Sequence, residues 1–323
     1  MIQVVENEGA GERLDRYLVI RFPQVSRAIV MKYLKEGHAR INGRRARPGL
    51  FVKVGDEIDL PDWDKALQRI RKGEAEGLPP IPERSAPPRD VRVLYEDEYM
   101  VAVSKPPGLV MHPGSGHEQE GLDLILREHF GPSTRLVHRI DRDTSGVVVA
   151  ARGHPESARR LTESFRDGDN EKLYHALVRG VPEPDRGTID LPLLDTKAEG
   201  SRVHVDPHGK TARTLYEVEE KLGAFAWLQV RPETGRRHQI RAHLAEIGHP
   251  LAVDHVYARR RKLRLSDLRP DLPVSWKNPV LLSRQPLHAS RITLRHPESG
   301  EEMTLDAPLT DDLEKVLEVL RAG

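Results

Sequence analysis

The densest run of reactive side chains is His138-Arg139-Ile140-Asp141-Arg142-Asp143-Thr144-Ser145-Gly146, which passes directly into the apolar residues 147–151. A polar loop feeding a buried strand delivers its side chains to the end of a sheet, where sites are commonly built. Cations beside a carboxylate favour its charged form, so Arg139 and Arg142 suit Asp141 and Asp143 to remain anions, able to act as nucleophile or proton acceptor. The same residues also suit a surface turn laced with salt bridges, and composition alone does not choose between the two. A second run, Thr234-Gly235-Arg236-Arg237-His238-Gln239-Ile240-Arg241-Ala242-His243, joins a permissive glycine to a basic helix start that would turn Arg241 inward. A third, from Lys105 to Pro113, reads as a rigid loop after a strand.

Other chemistries fit poorly. His138 with Ser145 suggests a hydrolase dyad, but there is no G-x-S-x-G and no third group in evident position. Fifteen histidines invite a metal, yet H-E-x-x-H is absent, and His238 and His243, five apart, do not share a helical face. The lack of cysteine removes disulfides, thiolate nucleophiles and cysteine-based zinc sites. No metal site is expected.

The elements that must position these groups are partly visible. Leu14, Tyr17 and Leu18 have helical spacing; Ser26 suits the start of a second helix carrying Val30, Tyr33 and Leu34, with Gly37 at its end. A strand through Ala39 and Ile41 meets the hairpin signal Asn42-Gly43, and another passes through Ile58 and Leu60. Residues 61–90 contain six prolines in a polar stretch and read as a linker. Beyond it, strands are expected at 100–103, 147–151, 173–178 and 226–230. Helices are expected through Ala158, Leu161 and Phe165, over 238–246, and over 311–321. Strands and helices do not alternate strictly, which predicts an α+β fold with a mixed, largely antiparallel sheet.

Charge is balanced overall at +1, but residues 11–60 alone carry +5, leaving −4 for the rest. A basic module beside a near-neutral body suits docking on nucleic acid as well as an ordinary solvated surface. The first fifteen residues lack the pattern of a signal peptide, and no apolar run approaches membrane-spanning length; the expectation is a cytoplasmic, monomeric protein with no membrane contact.

HRIDRDTSG resembles the H-R-L-D-x-x-T-S-G signature of the RluA-type RNA pseudouridine synthases. The likeness continues through LYEDEYMVAVSKPPGLVMHPG, Lys172-Leu173-Tyr174-His175-Ala176, TGRRHQIRAHLAEIGHPL, Leu287-His288-Ala289 and His296-Pro297. Residues 11–60 resemble an S4 RNA-binding domain, a small α/β module. The resemblance implies an S4-like domain over 1–60, the linker over 61–90, and a catalytic domain with the pseudouridine synthase fold over 91–323. It implies isomerisation of uridine in structured RNA without a cofactor. Large-subunit ribosomal RNA is the expected substrate; transfer RNA, or a non-catalytic role in ribosome assembly, is the alternative. Asp141 takes the position of the catalytic aspartate, as nucleophile or as proton acceptor; Arg241 that of its basic partner; Tyr174 that of the aromatic that stacks on uracil. Arg139 matches a residue associated with flipping the base, and Asp143 reads as structural. His138, Arg236, Arg237, His238 and Gln239 are expected to contact RNA in the catalytic domain, and Arg27, Lys32, Lys35, Arg44 and Arg45 in the S4-like domain. Three positions depart from the pattern: Arg237 stands where threonine is usual, Val253-Asp254 where Gly-Asp is usual, and Pro107 where alanine is common.

Overall fold

The computed structural model describes residues 2–6, 10–22, 30–31, 33–34, 39–47, 49–60, 91–112, 121–195, 202–271 and 278–322. The expected linker, the helix ends at Ser26 and Gly37, and three of the expected RNA contacts, Arg27, Lys32 and Lys35, lie outside the described residues. Contacts divide the chain into two compact units, Met1–Pro87 with His112–Ser133, and Pro88–Met111 with Thr134–Gly323.

In the first unit, Leu14 and Leu18 recur at the spacing of one helical face, and both are fully buried in α1 (Leu14–Arg21). Val30 and Leu34 repeat that spacing in a second helical stretch and are buried as well. Strands β1 (Ile2–Val4), β2 (Arg40–Ile41), β3 (Arg44–Arg45) and β4 (Glu57–Asp59) form a sheet in the order β1-β4-β2-β3. Asn42 and Gly43 both take positive φ, 50° and 76°, as a two-residue hairpin turn requires to match the twist of its strands. The Asn42 amide fastens the turn, donating to Asp56 Oδ1 at 2.8 Å and accepting from the Glu57 N–H at 2.9 Å. Helix α2 (Leu122–Phe130) groups with this unit: Leu124 packs on the cluster that contains Leu14 and Ile58.

The second unit begins with β5 (Arg92–Glu96), β6 (Met100–Lys105), β7 (Arg135–Leu136), β8 (Ser145–Ala151), β9 (Glu171–Arg179) and β10 (Arg186–Asp190). After β11 (Leu193–Asp195) and β12 (Val203–Val205) come β13 (Arg213–Leu222) and β14 (Phe225–Pro232). The last strands are β15 (Leu263–Arg264), β16 (Val280–Leu282), β17 (Leu287–Arg295) and β18 (Glu302–Asp306). One ten-stranded sheet runs β10-β13-β14-β9-β17-β8-β6-β5, with β18 beside β17 and β7 beside β8. Every pairing in it is antiparallel except β17 with β8. The fold is the mixed, largely antiparallel α+β arrangement expected from the sequence.

The parallel junction explains the end of the T-S-G motif. Gly146 has φ +117°, and a Cβ there would sit 2.1 Å from the carbonyl oxygen of Ala289, so only glycine lets the two backbones approach. Next to it the fully buried Ser145 hydroxyl meets His288 Nδ1 at 2.9 Å, while His288 Nε2 lies 3.2 Å from the Ala307 carbonyl. Ser145 is therefore a clamp between strands and does not pair with His138.

Helices α3 (Pro155–Asp167), α4 (Gln239–Glu246), α5 (Leu265–Leu268) and α6 (Asp311–Arg321) complete the unit. Leu161 and Phe165 of α3 pack with Val147 and Val149 of β8. Ile240 and Leu244 of α4 pack with Val178, Leu228 and Val230, each such burial contributing roughly 1.5–3 kcal/mol. Leu313, Val316, Leu317 and Leu320 form the buried stripe of α6. Among the described residues no helix is long and apolar enough to cross a membrane.

Candidate active site

Three elements of the second unit converge. The loop between β7 and β8 carries Asp141, the first turn of α4 carries Arg241, and β9 carries Tyr174. Arg241 Nη1 donates to Asp141 Oδ2 at 2.7 Å; the arginine side chain is 3% exposed and the aspartate 18%. The guanidinium cannot swing, because its Nε and Nη2 donate to Asp254 Oδ2 and Oδ1 at 2.7 and 3.1 Å, the two-point geometry that suits arginine. Asp254 is held in turn by the N–H groups of Val256 and Tyr257, at 2.8 and 3.1 Å from Oδ1. The Tyr257 ring lies 5.1 Å from the Arg241 guanidinium carbon. With its amide oxygen turned toward Arg241, Gln285 accepts from Nη2 at 2.9 Å.

Burial works against the Asp254 carboxylate, but the hydrogen bonds and charge of Arg241 with the two N–H groups outweigh it, leaving the pKa below the ordinary value. Arg241 is the mirror case: burial disfavours its charge, and the two carboxylates more than offset that. The sequence marked Asp254 only as the neighbour of an unusual valine. Its role follows from a physical requirement, since a buried arginine facing one partly exposed aspartate needs a second acceptor.

These groups open on a cleft of about 360 Å³, within the range of small-ligand pockets. Tyr174 lines it and packs on the core behind. Burial, reinforced by the negative charge of Asp141, raises its pKa, so the phenol stays protonated near neutrality and offers a ring face and an O–H rather than a standing base. His238, the left-handed residue that caps α4 (φ 53°), comes within 3.9 Å of Asp141. Burial lowers its pKa to about 4 despite that neighbour, so at neutral pH it is uncharged and Arg241 is the cation paired with Asp141.

The other expected contacts divide. Arg139 lines the cleft and is exposed. Arg236 also lines it, with Nε donating to the Thr211 carbonyl at 3.0 Å, and Arg237 is tied to Asp195 at 2.8 and 2.5 Å. Gln239 is turned inward: 4% exposed, it accepts from Thr234 Oγ1 and the Arg236 N–H and donates to the Arg213 carbonyl and Thr214 Oγ1. Its amide braces the loop and has no capacity left for RNA. His138 lines the cleft with one ring nitrogen engaged within the protein. It stacks on Phe165 at 4.3 Å, its Nε2 accepts from the Val149 N–H at 2.9 Å, and burial keeps it neutral with a pKa of about 3. Asp143 pairs with its neighbour Arg142, at 2.9 Å through both oxygens. Arg44 and Arg45 are exposed on β3 of the first unit.

The Lys-Pro-Pro-Gly loop reaches the same site from beneath. Lys105 is fully buried, and its Nζ donates to the carbonyls of Pro106, Leu109 and Arg142, each at 2.8 Å. Burial draws its pKa down to about 7, opposed by the charge of Asp143. Three carbonyls around one nitrogen favour the ammonium, because a neutral amine has only two hydrogens to give. The Gly108 N–H joins at 2.9 Å, so the residue after Asp141 is pinned twice through its carbonyl. Among the described residues no group of three or more histidines, cysteines or carboxylates is placed to hold a metal ion.

Residues 99–246 match the family model described as RNA pseudouridylate synthase, and residues 12–58 match the S4 domain model. Ribosomal large subunit pseudouridine synthase C of Salmonella typhimurium is 34% identical over 325 residues, covering 99% of this chain and 96% of that protein. The protein of the same name from Vibrio parahaemolyticus is 31% identical over 320 residues, covering 98% and 95%. Among solved structures, human RNA pseudouridylate synthase domain containing 4 superposes with a TM-score of 0.56 and 26% identity, over 71% of this chain and 93% of that chain.

Proposed function

The chain belongs to the RNA pseudouridylate synthase family, and from that premise we propose that it converts uridine to pseudouridine in large-subunit ribosomal RNA, with Asp141 as the reacting carboxylate. The observation that carries this reading is the meeting of Asp141, Arg241 and Tyr174 in one cleft, with Arg241 fixed from behind by Asp254. The substrate class is inferred from the relatives, which are named for the large ribosomal subunit and are matched along almost their whole length.

The reaction breaks the bond between N1 and C1′, turns the uracil and joins C5 to C1′; C5 gives up its proton and N1 takes one up. Nothing is oxidised and no atom is lost, so no cofactor is demanded. Asp141 suits either of two first steps, attack on C1′ or removal of a proton from C2′, and Arg241 orients it for both. Tyr174 supplies a surface against which the uracil stacks and turns. The base must leave its helix to enter, at a cost of a few kcal/mol, and the exposed Arg139 at the cleft suits filling the gap it leaves. The first unit, with Arg44 and Arg45 exposed on its hairpin, docks the RNA through phosphates.

Pseudouridine mapping in ribosomal and transfer RNA tests this, using cells that lack the protein, then carry it back as wild type or as Asp141→Asn. The expected result is loss at a few large-subunit positions, restored by the wild type alone. Losses confined to transfer RNA would move the substrate. Restoration by Asp141→Asn would leave an RNA-binding assembly factor instead.

A further inference from the structure

Six lysines and arginines line the cleft. Arg241 is matched by two carboxylates, Arg237 by Asp195 and Arg166 by Asp167, while Arg236 donates to the Thr211 carbonyl and Arg139 is exposed to water. Lys172 is different. It is half-buried, and among the described residues no carboxylate pairs with it. Its Nζ stands 5.5 Å from the centre of the Phe165 ring, which stacks on the neutral His138. Burial lowers its pKa, as happens to a cation drawn out of water without a counter-charge. A lysine with only a structural duty ordinarily keeps its ammonium in water or beside an acid.

Its position says what is missing. Lys172 and Tyr174 are two apart on β9, so they share a face, separated by about 7 Å along the strand. That is comparable to the distance between a base and an adjoining phosphate in a nucleotide. A uracil lying against Tyr174 with its ribose at Asp141 brings its own backbone to Lys172. A weakly hydrated ammonium gains more from a full anion than from a carbonyl of the base.

We propose that Lys172 receives a phosphodiester oxygen of the target nucleotide itself, fixing the RNA backbone inside the cleft while Asp141 acts on the sugar. This rests on the reading of the cleft as a uridine pocket and adds to it the group that sets how deep the nucleotide enters.

The test uses a short hairpin around one uridine mapped in cells, assembled from two pieces. The break lies on the 5′ or the 3′ side of that uridine, and each version carries a terminal phosphate or ends in a hydroxyl. Binding and single-turnover rates are measured for the wild type, Lys172→Met and Lys172→Arg. The wild type is expected to prefer the phosphate at one of the two breaks by about tenfold in kcat/KM. Lys172→Met should lose that preference and Lys172→Arg keep most of it. A wild type indifferent to the phosphate at both breaks, or a Lys172→Met protein with an undiminished preference, overturns the assignment. Phosphate preference in binding without any turnover would instead sink the isomerase reading and leave Lys172 as an anion receptor.

Discussion

At the floor of the cleft a buried arginine is matched by Asp141 and Asp254, whereas on its wall the half-buried Lys172 faces an aromatic ring. The floor is complete before any ligand arrives: each polar atom of Asp254 has a donor, and Arg241 is aimed at Asp141. Folding has already met the cost of desolvating those charges, which is what electrostatic preorganisation requires. The wall is left a charge short and is completed by the ligand. Chemistry should therefore fail when the floor is altered, and recognition when the wall is.

The largest effect is expected at Asp141. Asp141→Asn should lower the single-turnover rate at least 10³-fold, about 4 kcal/mol, with RNA affinity nearly unchanged. Asp143→Asn, which loosens a pairing with its exposed neighbour Arg142 and removes a charge near Lys105, should stay within about threefold. A rate for Asp141→Asn within tenfold of wild type would remove the carboxylate from the mechanism.

Arg241→Met comes next, with a rate loss of about 10²-fold and a stability loss of about 3–5 kcal/mol, because Asp254 is left buried without its cation. Adding Asp254→Leu should recover most of the urea midpoint and none of the rate. Recovery of both would mean that the floor serves stability alone.

A third effect concerns the junction of β8 and β17. His288 is fully buried, and burial lowers its pKa to about 4, so the folded state holds it neutral while the unfolded chain protonates near 6.5. The unfolded state then binds more protons as pH falls, and the stability present above pH 6.5 is progressively lost toward pH 4. Between pH 7 and pH 5 this site alone should cost about 2 kcal/mol. Urea unfolding at both values, for wild type and His288→Asn, should show a shallower pH dependence in the variant; equal slopes would refute the assignment.

The smallest effect belongs to the first unit. Replacing Arg44 and Arg45 together with alanine should weaken RNA binding several-fold and flatten its salt dependence by about one to two charges, leaving the saturated rate as it was. An unchanged salt slope would show that this hairpin does not meet phosphates.

How far the sequence anticipates this arrangement depends on the range of the interactions. Apolar runs marked the cores of β6, β8, β9 and β14, and α6 spans Asp311–Arg321 as its periodicity indicates. Helix α4 starts one residue later than expected, because His238 takes a left-handed angle. Helix α2 was not legible: Leu122-Asp123-Leu124-Ile125-Leu126 satisfies a strand pattern as well as a helical one, and its nine residues are few for a period to declare itself. At the site, the motif pointed to Asp141, Tyr174 and Arg241, but charge and spacing alone did not. Gln239 carries an amide that suits RNA, yet it is committed to the protein, a fact that only its neighbours reveal. Asp254 and Lys172 were silent for the opposite reason. One matters because of a partner thirteen residues away, the other because no carboxylate pairs with it among the described residues.

The parallel pairing of β17 with β8 also sets a timetable. The Ser145 clamp depends on His288, and the backbone of Gly146 lies against Ala289, more than a hundred residues later in the chain. During synthesis the start of β8, Ser145 and Gly146, has no neighbour on that edge until the residues around 289 have left the ribosome; β7 covers only its far end, at Ala150 and Ala151. Gln285, which accepts from Arg241, emerges only just before them. A nascent chain of this protein thus carries its catalytic motif long before it carries a catalytic site, and a chain released before β17 should modify no RNA.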